Sequence, residues 1–270
     1  MTRLMNRRPG REGQVFLATL PFLLAALAYL AASAARLAVN PDDKLLPWPT
    51  DFVDAMRGMM FEPDKRSGDY LFWLDTVASL LRLLAGLAIA AAIGLVLGIL
   101  IGLLPYVRAS LAAFLAVLCM VPPLAILPIL FITLGLGEVA KVTLIVLGIA
   151  PYLARDLSFR VAELPEELLI KAQTLGASTW QVALRVVLPQ LLPKLISGLR
   201  LSLGPAWLFL IAAEAIASTE GLGYRIFLVR RFLAMDVILP YVAWITLLAF
   251  LMDRLLARAS RRLFPWAGTA

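Results

Sequence analysis

Six stretches of this chain are apolar over lengths suited to a membrane: 15–39, 76–104, 111–134, 139–153, 195–217 and 237–256. A helix needs about 20 such residues to cross the roughly 30 Å hydrocarbon layer of a bilayer. The fourth is short and carries Lys141 near its start. With 61% of 270 residues hydrophobic, a single soluble core could not hide so much apolar surface. Inside the six stretches charges are few, among them Arg82, Lys141, Arg200, Glu214 and Asp253. The chain therefore reads as all-α, a polytopic membrane protein with six transmembrane helices and no separate soluble domain.

Orientation follows from basic residues in short loops, which stay in the cytoplasm. Arg3, Arg7, Arg8 and Arg11 put the tail 1–14 inside. The loop 40–74 is acidic, with Asp42, Asp43, Asp51, Asp54, Glu62, Asp64 and Asp69 against Lys44, Arg57, Lys65 and Arg66, and reads as external. Its stretch 51–61 suits a short surface helix. Arg108, the long segment 155–194 and the tail 257–270 fall inside, so both termini are expected in the cytoplasm. The segment 218–236 dissents, because an external loop there holds Arg225, Arg230 and Arg231. The start of the chain shares a basic head, an apolar run and small residues (Ala32, Ser33, Ala34) with cleaved signal peptides. Its apolar run exceeds their usual length of about 7–15 residues, and it is read as a retained first helix.

Several chemistries are excluded. There is no His and only one Cys, Cys119, so His-based triads, His metal sites, disulfides within the chain and Cys clusters are out. No G-x-x-x-x-G-K-[ST] occurs, and the glycines of 135–141 (GLGEVAK) are wrongly spaced for phosphate binding. No nucleotide cofactor is expected on this chain. The net charge of +7 suits basic loops beside anionic lipid rather than nucleic acid.

The segment 163–199 is too long for a simple connection and too patterned to be disordered. Pro165 suits the first position of a helix running to Leu175, and Gly176 suits its C-terminal cap. Ser178 and Gln181 make a capping box for a second helix. Pro189 and Pro193 mark the approach to the fifth span. Leu168, Leu169, Ala172 and Leu175 share one face at helical spacing. Such a helix either lies on lipid or docks a cytosolic partner.

This segment resembles the EAA loop of permease subunits of bacterial ATP-binding cassette (ABC) importers. Ala172 matches the motif's second Ala, Gly176 its Gly, and Val186-Val187-Leu188-Pro189 its aliphatic-x-Leu-Pro end. Ile170 and Lys171 occupy the first two motif positions, so the motif's Glu is absent, with Glu166, Glu167 or Lys171 nearest to replace it. Further blocks are similar to the nitrate/sulfonate/taurine branch: TVASLLRLLAG from Thr76, VPPLAILP from Val121 with GLGE ending at Glu138, and AEAIAS from Ala213 with GLGY ending at Tyr224. The resemblance covers about residues 45–260. It implies a type I importer fold with 166–176 as the coupling helix. Gly176 would supply the corner and Leu168, Leu169, Ala172 and Leu175 the docking surface. It also implies a second permease copy, a cytosolic ATPase dimer that binds ATP and Mg, and an external solute-binding protein. The solute implied is a small anion of the sulfonate or nitrate kind. The rival classes are a secondary transporter and a membrane scaffold without transport; the first would show an internal repeat between halves, and none is visible.

Other residues carry two readings each. Gly86, Ala90, Gly94, Gly98 and Gly102 stand four apart and allow close helix approach, within one subunit or across a dimer. Pro122, Pro123 and Pro128 bend the third span, as a packing kink or as a wall of the pathway. Glu214, ionisable at membrane depth, is either a structural or gating hydrogen-bond partner or a solute contact, with gating preferred because a carboxylate repels an anion. Arg225, Arg230 and Arg231 attract an anion, bind the delivery protein, or are simply solvated. Arg82 is expected to snorkel to headgroups. Trp73, Trp207, Trp244 and Trp266 read as interface anchors or packing, and Cys119 as buried and inert.

Overall fold

A computed structural model describes residues 9–41, 43–64 and 68–267. Arg3, Arg7, Arg8, Asp42, Lys65 and Arg66, used above for orientation, lie outside the described residues. All regular structure among the described residues is helical: α1 (Arg11–Val39), α2 (Pro49–Phe61), α3 (Leu71–Leu103), α4 (Pro105–Leu118), α5 (Pro123–Leu134), α6 (Glu138–Ala162), α7 (Glu166–Thr174), α8 (Thr179–Val182), α9 (Leu188–Ala217), α10 (Leu222–Val229) and α11 (Met235–Leu263). Five helical rods among them are long and apolar enough to cross a membrane: α1, α3, α6, the rod 179–217 and α11. The pair α4–α5 makes a sixth crossing if taken as one broken span.

The α3–α6 seam is the centre of the bundle. A Cβ on Gly86, Gly94, Gly98 or Gly102 would stand 2.4–2.8 Å from side-chain atoms of Ile145, Leu153, Leu157 and Val161 respectively. Ala90, on the same stripe, is fully buried. Small residues let the two backbones close, and dispersion over the whole seam replaces the hydrophobic drive that lipid cannot supply. The stripe therefore packs within one subunit, which answers one of the two readings above.

Two expectations about spans are corrected. The third is not one bent rod over 111–134. It starts at Pro105 and breaks at 119–122, where α4 and α5 meet at 94°. Pro123 has no N–H for the carbonyl of Cys119, and the Tyr152 hydroxyl donates to that oxygen instead. Pro122 and Pro128 are exposed, and Pro123 partly so. The fourth is not short: α6 continues past Leu153 to Ala162. The segment 155–194 is accordingly mostly helix, not loop.

The second predicted helix after Gly176 is not separate either. From Thr179 it passes through a π-turn at 183–187 into α9, as one rod to Ala217. Pro189 cannot donate to the carbonyl of Arg185 and its ring crowds that oxygen. The widened turn lies immediately before it, with Leu188 N–H on the carbonyl of Ala183. Pro193 lies inside α9.

Helix α1 stands apart from the core, with Val15, Phe16 and Phe22 exposed. Among the described residues its ties to the rest of the chain lie towards its C-terminal end. Tyr29 and Ser33 hydroxyls donate to the carbonyls of Pro47 and Leu46, each at 2.8 Å, and Tyr29 packs on Phe52 of α2. Arg36 pairs with Asp43. That hydrogen bond, with another from the Leu45 N–H, holds the Asp43 carboxyl below the usual carboxylate range. The surface helix expected at 51–61 is α2, extended back to Pro49.

Candidate functional site: a buried ionic clasp and an exposed helical corner

Asp75, Ser79 and Arg82 recur on α3 at spacings of four and three, so they share one face. That face meets the last turn of α9 and the start of α10. Glu214 of α9 is fully buried. It accepts from the Ser79 hydroxyl (2.8 and 2.9 Å), from Arg82 (2.7 Å) and from the Gly223 N–H (2.9 Å). Arg82 spends its other nitrogens on Glu138 of α6, with a further contact to the carbonyl of Glu220 at 2.9 Å. Lys141 donates to Glu138 (2.8 Å) and Ser218 (3.1 Å). Asp75 takes the Arg225 guanidinium at 2.8 Å and the Gly221 N–H at 2.8 Å. Four segments of chain are locked together by this clasp.

The start of α10 explains why carboxylates gather there. Its first N–H groups have no partner within the helix, and the aligned peptide dipoles make that end positive. Gly221, Leu222 and Gly223 donate to Asp75, Ser79 and Glu214 in turn. Side chains of two other helices thus cap α10 in place of water. The glycines make room for this. Gly221 has φ +122°, and a Cβ there would lie 2.5 Å from the Glu214 carboxylate; at Gly223 it would lie 2.8 Å from the carbonyl of Ile211.

Three sequence readings are decided here. Arg82 does not snorkel to headgroups; it is buried at the hub of the clasp. Glu214, of the readings given above, makes structural hydrogen bonds, sealed among Ser79, Arg82 and Gly223. Arg225 is not a free external cation, because Asp75 holds it. Arg230 and Arg231 remain on the surface, with Arg230 stacked 5.0 Å from the Phe227 ring centre. Trp207 is core rather than interface. Trp244 packs on Phe72 and Trp73 and donates to Thr76 at 3.1 Å. Cys119 is buried. Sequence reasoning missed Ser79 as a direct partner of Glu214, and Asp75, Glu138 and Lys141 as further members of the clasp. The available signal was the polar stripe 75–79–82 on an otherwise apolar helix.

The opposite end of the α3–α6 pair carries α7. Glu166 and Glu167 occupy its first turn, where acids suit the positive end of the dipole. Gly176 ends it with φ +79°. The Gly176 N–H meets the carbonyl of Gln173 at 2.9 Å, and the Ala177 N–H that of Ala172 at 3.0 Å. This pair of bonds is a Schellman cap, and it needs the left-handed conformation that glycine adopts without strain. The capping box follows as expected: Ser178 Oγ accepts from Gln181 N at 3.3 Å, and Gln181 Oε1 from Ser178 N at 2.8 Å. The apolar stripe, however, is divided. Leu169 and Ala172 pack on the bundle core. Leu168 points outward and Leu175 is 87% exposed, and Ile170 and Trp180 are exposed as well. Lys171 is also exposed. The free surface of the corner is therefore Leu168, Ile170, Leu175 and Trp180, not the whole stripe.

Comparison with known proteins agrees with this architecture. The family profile for "Binding-protein-dependent transport system inner membrane component" matches residues 94–265. The taurine transport system permease protein TauC of Escherichia coli strain K12 is 41% identical over 200 residues, 74% of this chain and 73% of that one. The bicarbonate transport system permease protein CmpB of Synechococcus elongatus is 34% identical over 193 residues, 71% of this chain and 69% of that one. A chain from an inward-facing structure of the MetNI methionine ABC transporter superposes with a TM-score of 0.64 at 20% identity, covering 74% of this chain and 99% of that one. With its multi-pass helical bundle and its matched family profile, the chain belongs to the binding-protein-dependent inner-membrane permeases of ABC importers.

Proposed function

We propose that the α7 corner is the coupling helix that seats a cytosolic ATPase subunit, and that the clasp end faces the external solute-binding protein. The observation that carries this reading is the corner itself: a short helix closed by a glycine cap, anchored inward by Leu169 and Ala172, presenting Leu168, Leu175 and Trp180 to the outside. A knob fixed on one side and apolar on the other suits a docking partner. The acidic loop before α3 and the basic segments at the α7 end support a cytoplasmic position for that end and for both termini under the positive-inside rule. ATP and Mg then belong to the ATPase dimer, and this chain does no bond chemistry.

The working unit pairs two permease copies around a central pathway. The break at Pro122–Pro123 and the exposed Pro128 of α5 are the proposed pathway wall. The proposed solute is a small oxyanion, sulfonate or carboxylate in kind, as the names of the taurine and bicarbonate relatives suggest. Glu214, sealed among its partners, has no face for a solute and serves the clasp. Arg230 and Arg231 are left as the external cations available to an arriving anion or its carrier. Purifying the tagged chain in mild detergent tests the reading. One ATPase subunit per permease, with ATP-dependent uptake in vesicles, is expected. A chain that comes alone, or uptake driven by an ion gradient without ATP, would overturn it.

A further inference from the structure

Between the N-terminal half of α9 and the C-terminal half of α11 lies a cavity of about 400 Å³. Lys194, Arg200, Arg254 and Arg261 line it, against one carboxylate, Asp253. Asp253 is already committed, since Arg200 holds it with bonds of 2.7 and 3.2 Å. The Arg254 guanidinium is braced 5.0 Å from the Phe250 ring centre. No salt bridge engages Lys194, Arg254 or Arg261 among the described residues. Three cations thus line one concave space, and the one acid beside them among the described residues, Asp253, next to Arg254, is already held by Arg200. The C-terminal carbonyls of α11 contribute only about half a negative charge nearby, which these cations outweigh.

Depth points to the kind of anion. The apolar part of α11 ends near residue 256, so Ala257, Ser260 and Arg261 in the cavity wall stand just past the hydrocarbon layer. On the membrane side the rim is Phe250, with Leu247 and Leu251 exposed on neighbouring faces of the same helix. A cationic cup at headgroup depth, opening onto an apolar helix surface, matches a molecule with a phosphate head and acyl tails.

We propose that this cavity binds the phosphate headgroup of an anionic phospholipid, with Lys194, Arg254 and Arg261 as its ligands and the Arg200–Asp253 pair as the fixed wall. A soluble oxyanion offers the same chemistry without the tails, and the test separates the two. Assigning the site to the cytoplasmic leaflet rests on the proposed topology; binding itself does not.

The full-length chain is purified in detergent and titrated with phosphatidylglycerol or phosphatidylcholine, and retained lipid is read by native mass spectrometry. Wild type is expected to retain phosphatidylglycerol over phosphatidylcholine. The triple variant Lys194→Gln, Arg254→Gln, Arg261→Gln should lose that preference by about tenfold or more, since each basic side chain near an anionic lipid strengthens binding severalfold. Asp253→Asn removes the one carboxylate that lines the cavity among the described residues and should strengthen retention, an effect that misfolding cannot imitate. Equal retention by wild type and the triple variant, or no gain in Asp253→Asn, overturns the proposal. Protection by millimolar inorganic phosphate that also displaces phosphatidylglycerol overturns the lipid assignment in favour of a soluble oxyanion. Because ATPase co-purification is scored separately, failure here leaves the coupling reading standing, and the reverse.

Discussion

The clasp and the corner sit at opposite ends of the same helix pair and hold their backbone by opposite means. At the clasp, the first N–H groups of α10, which lack partners within the helix, are satisfied by side chains from α3 and α9, charges are buried, and every element depends on another. At the corner, α7 and α8 cap themselves with their own residues, and the charges of Glu166, Glu167 and Lys171 stay in solvent. A buried network loses a great deal when one member is removed, because the partner left behind is uncompensated. A self-capped surface helix tolerates change and can trade partners. The first arrangement suits a fixed end of the molecule, and the second suits a contact that is made with another chain.

Breaking the clasp should have the largest effect. Arg82→Met strands Glu214 without its cation and should cost about 3–5 kcal/mol, seen as a collapse of melting temperature in detergent. Glu214→Gln keeps the side chain's shape and much of its hydrogen bonding, and should cost less. If the two variants melt alike and within about 1 kcal/mol of wild type, the clasp does not hold this end together. Next comes the seam that joins the two ends. Gly102→Leu drives a side chain into Val161 and should cost about 1–3 kcal/mol by overpacking. Gly58→Ala in α2, with nothing near its added Cβ, should be neutral or stabilising by up to about 1 kcal/mol. A smaller loss is expected at the corner: Gly176→Val forces a β-branched residue into the left-handed region, at about 1–2 kcal/mol. It should leave the clasp intact and impair ATPase co-purification. The smallest effect on stability belongs to Leu175→Asp, within about 0.5 kcal/mol because the side chain is in solvent. That variant should still lose the ATPase. Retained ATPase at wild-type ratio would remove Leu175 from the docking surface.

Much of this architecture was legible in the sequence because lipid imposes a simple rule on helix length. The corner was legible too: Gly176, Ser178 and Gln181 act on neighbours within a few residues, so spacing alone reveals them. Resemblance supplied the family and the order of the blocks. What stayed hidden was whatever depends on partners distant in sequence. Arg82 looked like a snorkelling arginine because nothing near it is acidic except Asp75; Glu138 and Glu214 reach it only through the fold. The division of the 168–175 stripe was hidden for the same reason, since periodicity defines a face but not how much of that face the bundle covers. Helix ends were misjudged at Leu153 and Leu111 because hydropathy marks the membrane, while helices continue into water.

The glycine seam has a mechanical meaning. Packing without gaps along four contact points makes α3 and α6 a single beam of double thickness, and α6 alone runs about 37 Å at 1.5 Å per residue. One tip of that beam, at Glu138, is bolted into the clasp; the other, at Ala162, stops a few residues short of α7. If the corner seats the ATPase as proposed, this arm is the shortest packed route from that contact to the clasp.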